Sequence, residues 1–188
     1  GQSFVLYLCS GLFPWFAFSA TLIGGSEALV RNAHYLTKLS VPEEVFVAQA
    51  TLMESIGLAI YIGLLFVAGL ISGLSPSWTW FFIPLAGLLF QLAAFGLGLF
   101  LAVLRTLFPD LRHVLTIAMQ LWLWLAPIVY LESAVPSNLR AQLHWNPVYW
   151  YVAAYRQLFL DGRLPSLEGW AAMLMWSPPG TSMYFTST

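Results

Sequence analysis

Apolar residues run without period-two alternation through four long stretches, Phe4 to Ile23, Val45 to Ile71, Trp78 to Leu104 and Val114 to Leu131. Each is close to or above the roughly 20 residues that a helix needs to cross a hydrocarbon layer. Lipid offers the backbone no water, so such segments are helices or closed-barrel strands, and unbroken apolarity argues against the barrel. The pattern therefore predicts four membrane helices. A polar connection from Gly24 to Glu44 follows the first, a turn at Gly73 to Ser77 folds the second and third into a hairpin, and a charged link from Arg105 to His113 precedes the fourth.

Beyond Leu131 the chain is aromatic and broken by proline rather than cleanly apolar. Within an external segment over 132–165, Leu143 to Leu160 reads as a re-entrant element that dips into the membrane face and returns. The last stretch begins at Leu167 like another span but meets Ser177, Pro178, Pro179 and Gly180 before it could cross. The expected fold is an all-α integral membrane protein: a polytopic helical bundle of about four full spans, a re-entrant segment and a partial last helix. Neither a repeat nor a linker divides residues 1–188, which read as one membrane domain. The opening lacks the basic start of a cleavable signal, and its abrupt apolar beginning without methionine reads as the interior of a longer chain.

Composition supports the same solvent. Hydrophobic residues make up 60% and charged residues 8%, the mean hydropathy is +0.78, and seven basic with eight acidic side chains are too few to cover a water-soluble core of this size. A net charge of −1 carries no nucleic-acid footprint and no polybasic lipid-binding tail. The single Cys9 excludes an internal disulfide and leaves no thiol pair for zinc. His34, His113 and His144 lie far apart, outside any metal-ligand spacing and any hydrolase arrangement, so neither a metal site nor catalysis is expected.

Basic residues near span ends set orientation. Arg31, Lys38, Arg105 and Arg112 fall on the first and third connections, which places both, including the segment 24–45, on the cytoplasmic side. Arg140, Arg156 and Arg163 run against that count, and a segment folding back as broken helices accommodates them. Pro42 closes a polar stretch, so Ser26 to Ser40 reads as an amphipathic helix at the membrane face or as an ordinary interfacial loop. Asp110 and Arg112 are a conformational latch, a second partner contact, or solvated ends that fix helix depth.

Glu54 is the one acid inside a span, a functional hypothesis because desolvating its charge is costly, although it lies two to three turns from the span's start. Gln49, Gln91 and Gln120 read first as interhelical hydrogen-bond partners. Trp122, Trp124, Tyr130, Trp145, Tyr149, Trp150, Tyr151 and Tyr155 gather toward the presumed outer side, either as an interfacial belt or as rings that stack on sugars along a translocation pathway.

Three anchors, in order and separated by spans, resemble the ABC-2 type permeases that export O-antigen, capsule and teichoic acid. The first is NAHYLTKLSVPEE, matched at Asn32, Lys38, Pro42 and Glu43, with Val41 where that family has Phe. The second is FPDLRHVLTIAMQLWLWLAPIVY, matched at Asp110, Arg112, Pro127, Ile128 and Tyr130, with Pro109 in place of an Arg and Ala126 in place of a Ser. The third is VPSNLRAQLHWNPVYWYVAAYRQLFLDGRLP, matched at Pro136, Asn146, Pro147, Tyr155, Arg156 and Gly162.

The resemblance implies six helices per subunit, with an amphipathic helix and one span ahead of Gly1. It further implies a second copy of the permease and a separate ABC ATPase dimer that carries the ATP and magnesium. It assigns Glu27, Arg31, Asn32, Lys38, Pro42, Glu43 and Glu44 to the ATPase contact, and Asn146, Pro147 and Arg156 to the external segment. It implies a multi-pass protein of the bacterial plasma (inner) membrane whose cargo is a lipid-linked polysaccharide drawn from membrane lipid. One feature agrees independently: a phosphate-binding loop needs Gly-Lys followed by Ser or Thr, and the sole lysine, Lys38, sits between Thr37 and Leu39. Competing readings are an ABC-2 exporter of drugs, haem or small lipids, and a membrane-embedded enzyme acting on lipid-linked sugars, with Glu54 as its acid.

Overall fold

A computed structural model describes residues 4–36, 38, 42–130, 143 and 145–175. Among the described residues three helices are long and apolar enough to cross a membrane: α1 (Phe4–Arg31), α3 (Glu44–Ile71) and α4 (Ile83–Leu107), the last entered through a tight helical turn at Trp78–Phe82. A four-residue helix α2 (Ala33–Leu36) lies between the first two. The shorter α5 (Leu111–Leu125), α6 (Pro147–Arg156) and α7 (Leu167–Met175) complete the order, with a wide helical turn at Gln157–Asp161 after α6. Strands are absent among the described residues, in keeping with an all-α bundle.

α1 is the axis of the bundle, packing against α3, α4, α5 and α6. Half of its apolar window is buried, against 17% of that of α3, so α3 turns most of its surface outward, as a lipid-facing helix does. α1 and α4 cross closely because both are glycine there: a Cβ on Gly25 would lie 3.5 Å from the Cα of Gly98. In the same crossing the buried Thr21 hydroxyl lies 2.8 Å from Gln91 Oε1, so Gln91 is the interhelical partner its sequence position suggests. Gln49 and Gln120, expected in the same role, are instead exposed. Ser10, Thr21 and Ser26, all fully buried, donate back to carbonyls of their own helix, which lets hydroxyls sit in an apolar core.

The hairpin between α3 and α4 forms as the turn signals require. Gly73 takes φ +79°, Leu74 N–H donates to Gly69 O, and Gly73 N–H donates to Leu70 O, closing α3 with paired end carbonyls. Ser77 then accepts from Thr79 N–H at the start of the next turn.

Two expectations change. The first stretch does not stop at Ile23: α1 continues to Arg31, so Ser26 to Arg31 belong to a long helix rather than to a separate surface helix over Ser26 to Ser40. Apolar packing of Ala28 and Leu29 against Val47, Ala50 and Ala102 carries the helix on. What remains of the expected element is α2, and residues 37 and 39–41 lie outside the described set. The fourth stretch, expected to reach Leu131, is helical for only 15 residues and ends at Leu125, because Pro127 cannot continue it. The expected features at Pro136, Arg140 and His144, and the proline-rich end after Met175, lie outside the described residues.

Tyr155 illustrates how tightly α6 is set into the bundle. It is fully buried, a Cβ on Gly87 of α4 would lie 2.5 Å from its hydroxyl and 3.0 Å from Leu58 Cδ2, and that hydroxyl has no hydrogen-bond partner among the described residues. Gly87→Ala is therefore expected to lower the melting temperature of the detergent-purified protein. Tyr155→Phe, which removes an unpaired buried polar group, should be neutral or stabilising and should recover much of the Gly87→Ala loss. A double mutant no more stable than Gly87→Ala would remove this hydroxyl as the cause.

Candidate functional site

The residues singled out from sequence fall at two ends of α1. At the Tyr7 end, α5 breaks where a continuous helix would have gone on. Ala126 N–H still donates to Trp122 O, but the helix stops ahead of Pro127, so the Pro127 and Ile128 carbonyls have no donors from a following helical turn. Backbone that is neither helix nor sheet is tolerated at membrane depth only when protein groups satisfy it. Arg156, the last residue of α6, supplies them: Nη1 donates to Pro127 O at 2.6 Å and Nη2 to Ile128 O at 2.9 Å. Its guanidinium also lies over the Tyr7 ring, 3.7 Å from the centroid, and the Tyr7 hydroxyl donates to Tyr130 O at 3.3 Å.

Gly11 makes room for this clamp. A Cβ there would lie 3.2 Å from both Arg156 Nη2 and Ile128 Cγ2, so α1, the turn after α5 and α6 meet on a residue without a side chain.

Asn146 fastens the other end of α6 to α5. Its Oδ1 accepts from Val148 N–H at 3.1 Å, the ordinary helix-start cap, and from Trp122 Nε1 at 3.0 Å. Pro147 occupies the first helical position, where a missing N–H costs nothing. Beyond α6 the wide turn leaves the Leu158 and Phe159 carbonyls to accept from the Thr79 hydroxyl at 2.7 Å and from Trp80 Nε1 at 3.3 Å, and the segment turns out of the bundle at Gly162, φ +62°. The expected re-entrant element over Leu143 to Leu160 thus includes a helix tied to the α3–α4 hairpin, to α1 and to α5.

The aromatic set divides. Trp122 is packed inward, its ring 5.9 Å from Trp15 and 6.0 Å from Phe18. Tyr149, Tyr151 and Tyr155 are buried, with the Tyr151 hydroxyl donating to Met173 O of α7 at 2.6 Å. Tyr130 and Trp150 are half-buried. Only Trp124 and Trp145 of the set are largely exposed, at 64% and 66%, so within the set these two offer ring faces at the surface.

At the opposite end, Glu27 of α1 and Arg112 of α5 form an ion pair at 3.0 Å, with Arg112 the more exposed partner. Glu27, expected to face a partner protein, is thus engaged within the chain. Asn32 Nδ2 donates to Ala28 O at 2.8 Å and closes α1. Arg31, Lys38, Pro42, Glu43, Glu44 and Asp110 are exposed around the same end. Arg105 donates to the carbonyls of Phe108 and Pro109 and shapes the link between α4 and α5. Glu54 is half-buried on α3, ~15 Å along the helix from Glu44. Among the described residues no cluster of His, Cys, Asp and Glu could hold a metal ion.

Sequence reasoning found Arg156, Asn146 and Arg112 but neither Tyr7 nor Gly11, and it did not pair Glu27 with Arg112. The signal for that pair was available: once α1 runs to Arg31, Glu27 stands on the face that antiparallel α5 reaches with its first turn.

Residues 3–160 match the ABC-2 type transporter family. Among curated proteins the chain is similar to the O-antigen export system permease protein RfbA of Myxococcus xanthus, 27% identical over 88% of this chain and 65% of that protein. It is similar also to RfbA of Klebsiella pneumoniae, 25% identical over 86% and 63%. The polysialic acid transport protein KpsM of Escherichia coli is 26% identical over 85% and 62%. The chain thus spans somewhat under two thirds of the length of these relatives. With most of its length matched, it belongs to the ABC-2 type transporter membrane family.

Proposed function

We propose that this chain is the core of the membrane subunit of an exporter that moves a lipid-linked polysaccharide across the bacterial plasma membrane. The observation that carries the reading is the family match together with relatives named for O-antigen export and polysialic acid transport. Work is done by a separate ATPase dimer with its ATP and magnesium, on the cytoplasmic side marked by Arg31, Lys38, Arg105 and Arg112. The exposed charges from Arg31 to Glu44 support a docking role for that connection. A second copy of the subunit encloses the pathway, with Trp124 and Trp145 as the aromatic faces available to sugar. Nucleotide-driven shifts in the connection are passed through α1 to the elements packed on it, which opens a route between the two copies.

Coupling is tested by co-expressing the full-length permease with its neighbouring ATPase. The complex should co-purify, and Arg31→Glu with Lys38→Glu should abolish stimulated ATP hydrolysis while leaving the permease folded. Unchanged stimulation would remove this connection from the ATPase contact. Lipid-linked polysaccharide accumulating on the cytoplasmic face of cells lacking the permease, and cleared on complementation, would establish the cargo class; absence of that accumulation points to a drug or small-lipid exporter.

A further inference from the structure

Of α3, α4, α5 and α6, all packed on α1, α5 is the least embedded. Only Leu115 and Met119 of its 15 residues are buried, it touches α4 lightly, and a row of exposed side chains (Val114, Ile117, Leu121, Leu125) runs its length. What fastens it to the axis is concentrated at its two ends, and the fastenings differ in kind. At the Tyr7 end, Arg156 holds two backbone carbonyls and the Tyr7 ring against Gly11, and Asn146 holds Trp122, itself wedged between Trp15 and Phe18. The Arg156 contacts are charge-assisted, both fastenings are partly buried with several partners each, and breaking them would strand backbone groups away from water. At the other end the described polar fastening is the Glu27–Arg112 pair, with Arg112 55% exposed, where water competes for both charges and a break strands nothing.

We infer that α5 pivots about its Arg156 end, with the Glu27–Arg112 ion pair as the latch that holds it against α1 in the resting state and releases when nucleotide drives the partner subunit. A lever fastened firmly at one end and lightly at the other moves at the light end. The light end is the one carrying Asp110 and Arg112, beside the exposed charges assigned to the ATPase contact, so the input arrives where the helix is free to swing. The Arg156 end keeps the broken backbone satisfied through the movement. Nucleotide enters this inference through the exporter reading, but the latch itself does not depend on cargo.

The test measures distances by pulsed electron resonance in the full-length permease, with Cys9 replaced by serine and spin labels at exposed positions. One pair, Val30→Cys with His113→Cys, reports the latch end. The other, Val5→Cys with Leu125→Cys, reports the pivot end. In the ATPase complex, trapping ATP should shift the first distribution and leave the second in place. In the permease alone, Arg112→Gln should shift or broaden the first distribution without any nucleotide. A shift confined to the Val5–Leu125 pair, or no response of the first pair to Arg112→Gln, would overturn the inference. The second arm needs no ATPase, so failure of the exporter reading and failure of the latch are told apart.

Discussion

Arg156→Met should be the most damaging single substitution in the described chain, destabilising it by on the order of 2 to 6 kcal/mol. The figure follows from the two carbonyls, Pro127 O and Ile128 O, that would lose their donors in a buried turn, each such loss costing about 1 to 3 kcal/mol. The methionine chain also forfeits the contact with the Tyr7 ring. Arg156→Lys keeps the charge but is a poor replacement, because a single ammonium on a flexible stem does not present two parallel donors and a flat face at once. The expected order of heat stability in detergent is therefore wild type, then Lys, then Met, read by the fraction surviving on size-exclusion chromatography after heating. A Met variant as stable as wild type would mean that the turn after α5 draws its donors from elsewhere. Gly11→Leu should copy the Met phenotype from the opposite wall, since its side chain would occupy the space of the guanidinium.

Much of this architecture was legible in the sequence, and the parts that were not share a physical cause. Hydropathy located α3 and α4 to within a few residues because the turn at Gly73 to Ser77 separates them with unambiguous backbone chemistry. It misplaced the end of α1 because Ser26, Glu27 and Arg31 look like loop residues on any polarity scale. The contacts that keep them helical, Ala28 and Leu29 on Val47, Ala50 and Ala102, come from segments distant in the chain. The fourth stretch was read as long because Ala126 to Leu131 is apolar. Pro127 was the stop signal within it, and the carbonyls of Pro127 and Ile128, taken by Arg156, show that the helix has already ended.

The candidate site was half legible for the same reason. Arg156 and Asn146 stood out as polar groups in an aromatic segment, while their roles required knowing what lay opposite them. The aromatic cluster was counted correctly but sorted only by packing, which sends Trp122 and Tyr155 inward and leaves Trp124 and Trp145 at the surface. A polar residue in an apolar stretch therefore announces that a partner exists without naming it, and an aromatic one announces neither.

Asn146→Ala should reproduce part of the Arg156 effect by a different route. One oxygen serves two donors, so the substitution uncaps α6 at Val148 and leaves the Trp122 N–H unpaired beside Trp15 and Phe18. Loss of the cap costs about 1 kcal/mol and an unpaired buried donor about 1 to 3 kcal/mol, so a loss on the order of 2 to 4 kcal/mol is expected. The two parts separate in a double-mutant cycle. Trp122→Phe removes the second donor while keeping the ring in place, and against that background Asn146→Ala should show only the cap term. Coupling between the two, obtained from melting curves of the four proteins, should therefore be of order 1 kcal/mol or more. Asn146→Asp keeps an acceptor for both donors and sets a negative charge at the start of α6, where the helix dipole favours it, so it should be close to wild type in stability. Additive losses in the cycle would mean that Asn146 acts on α6 alone and does not join it to α5, and the firm end of the lever would then rest on Arg156 by itself.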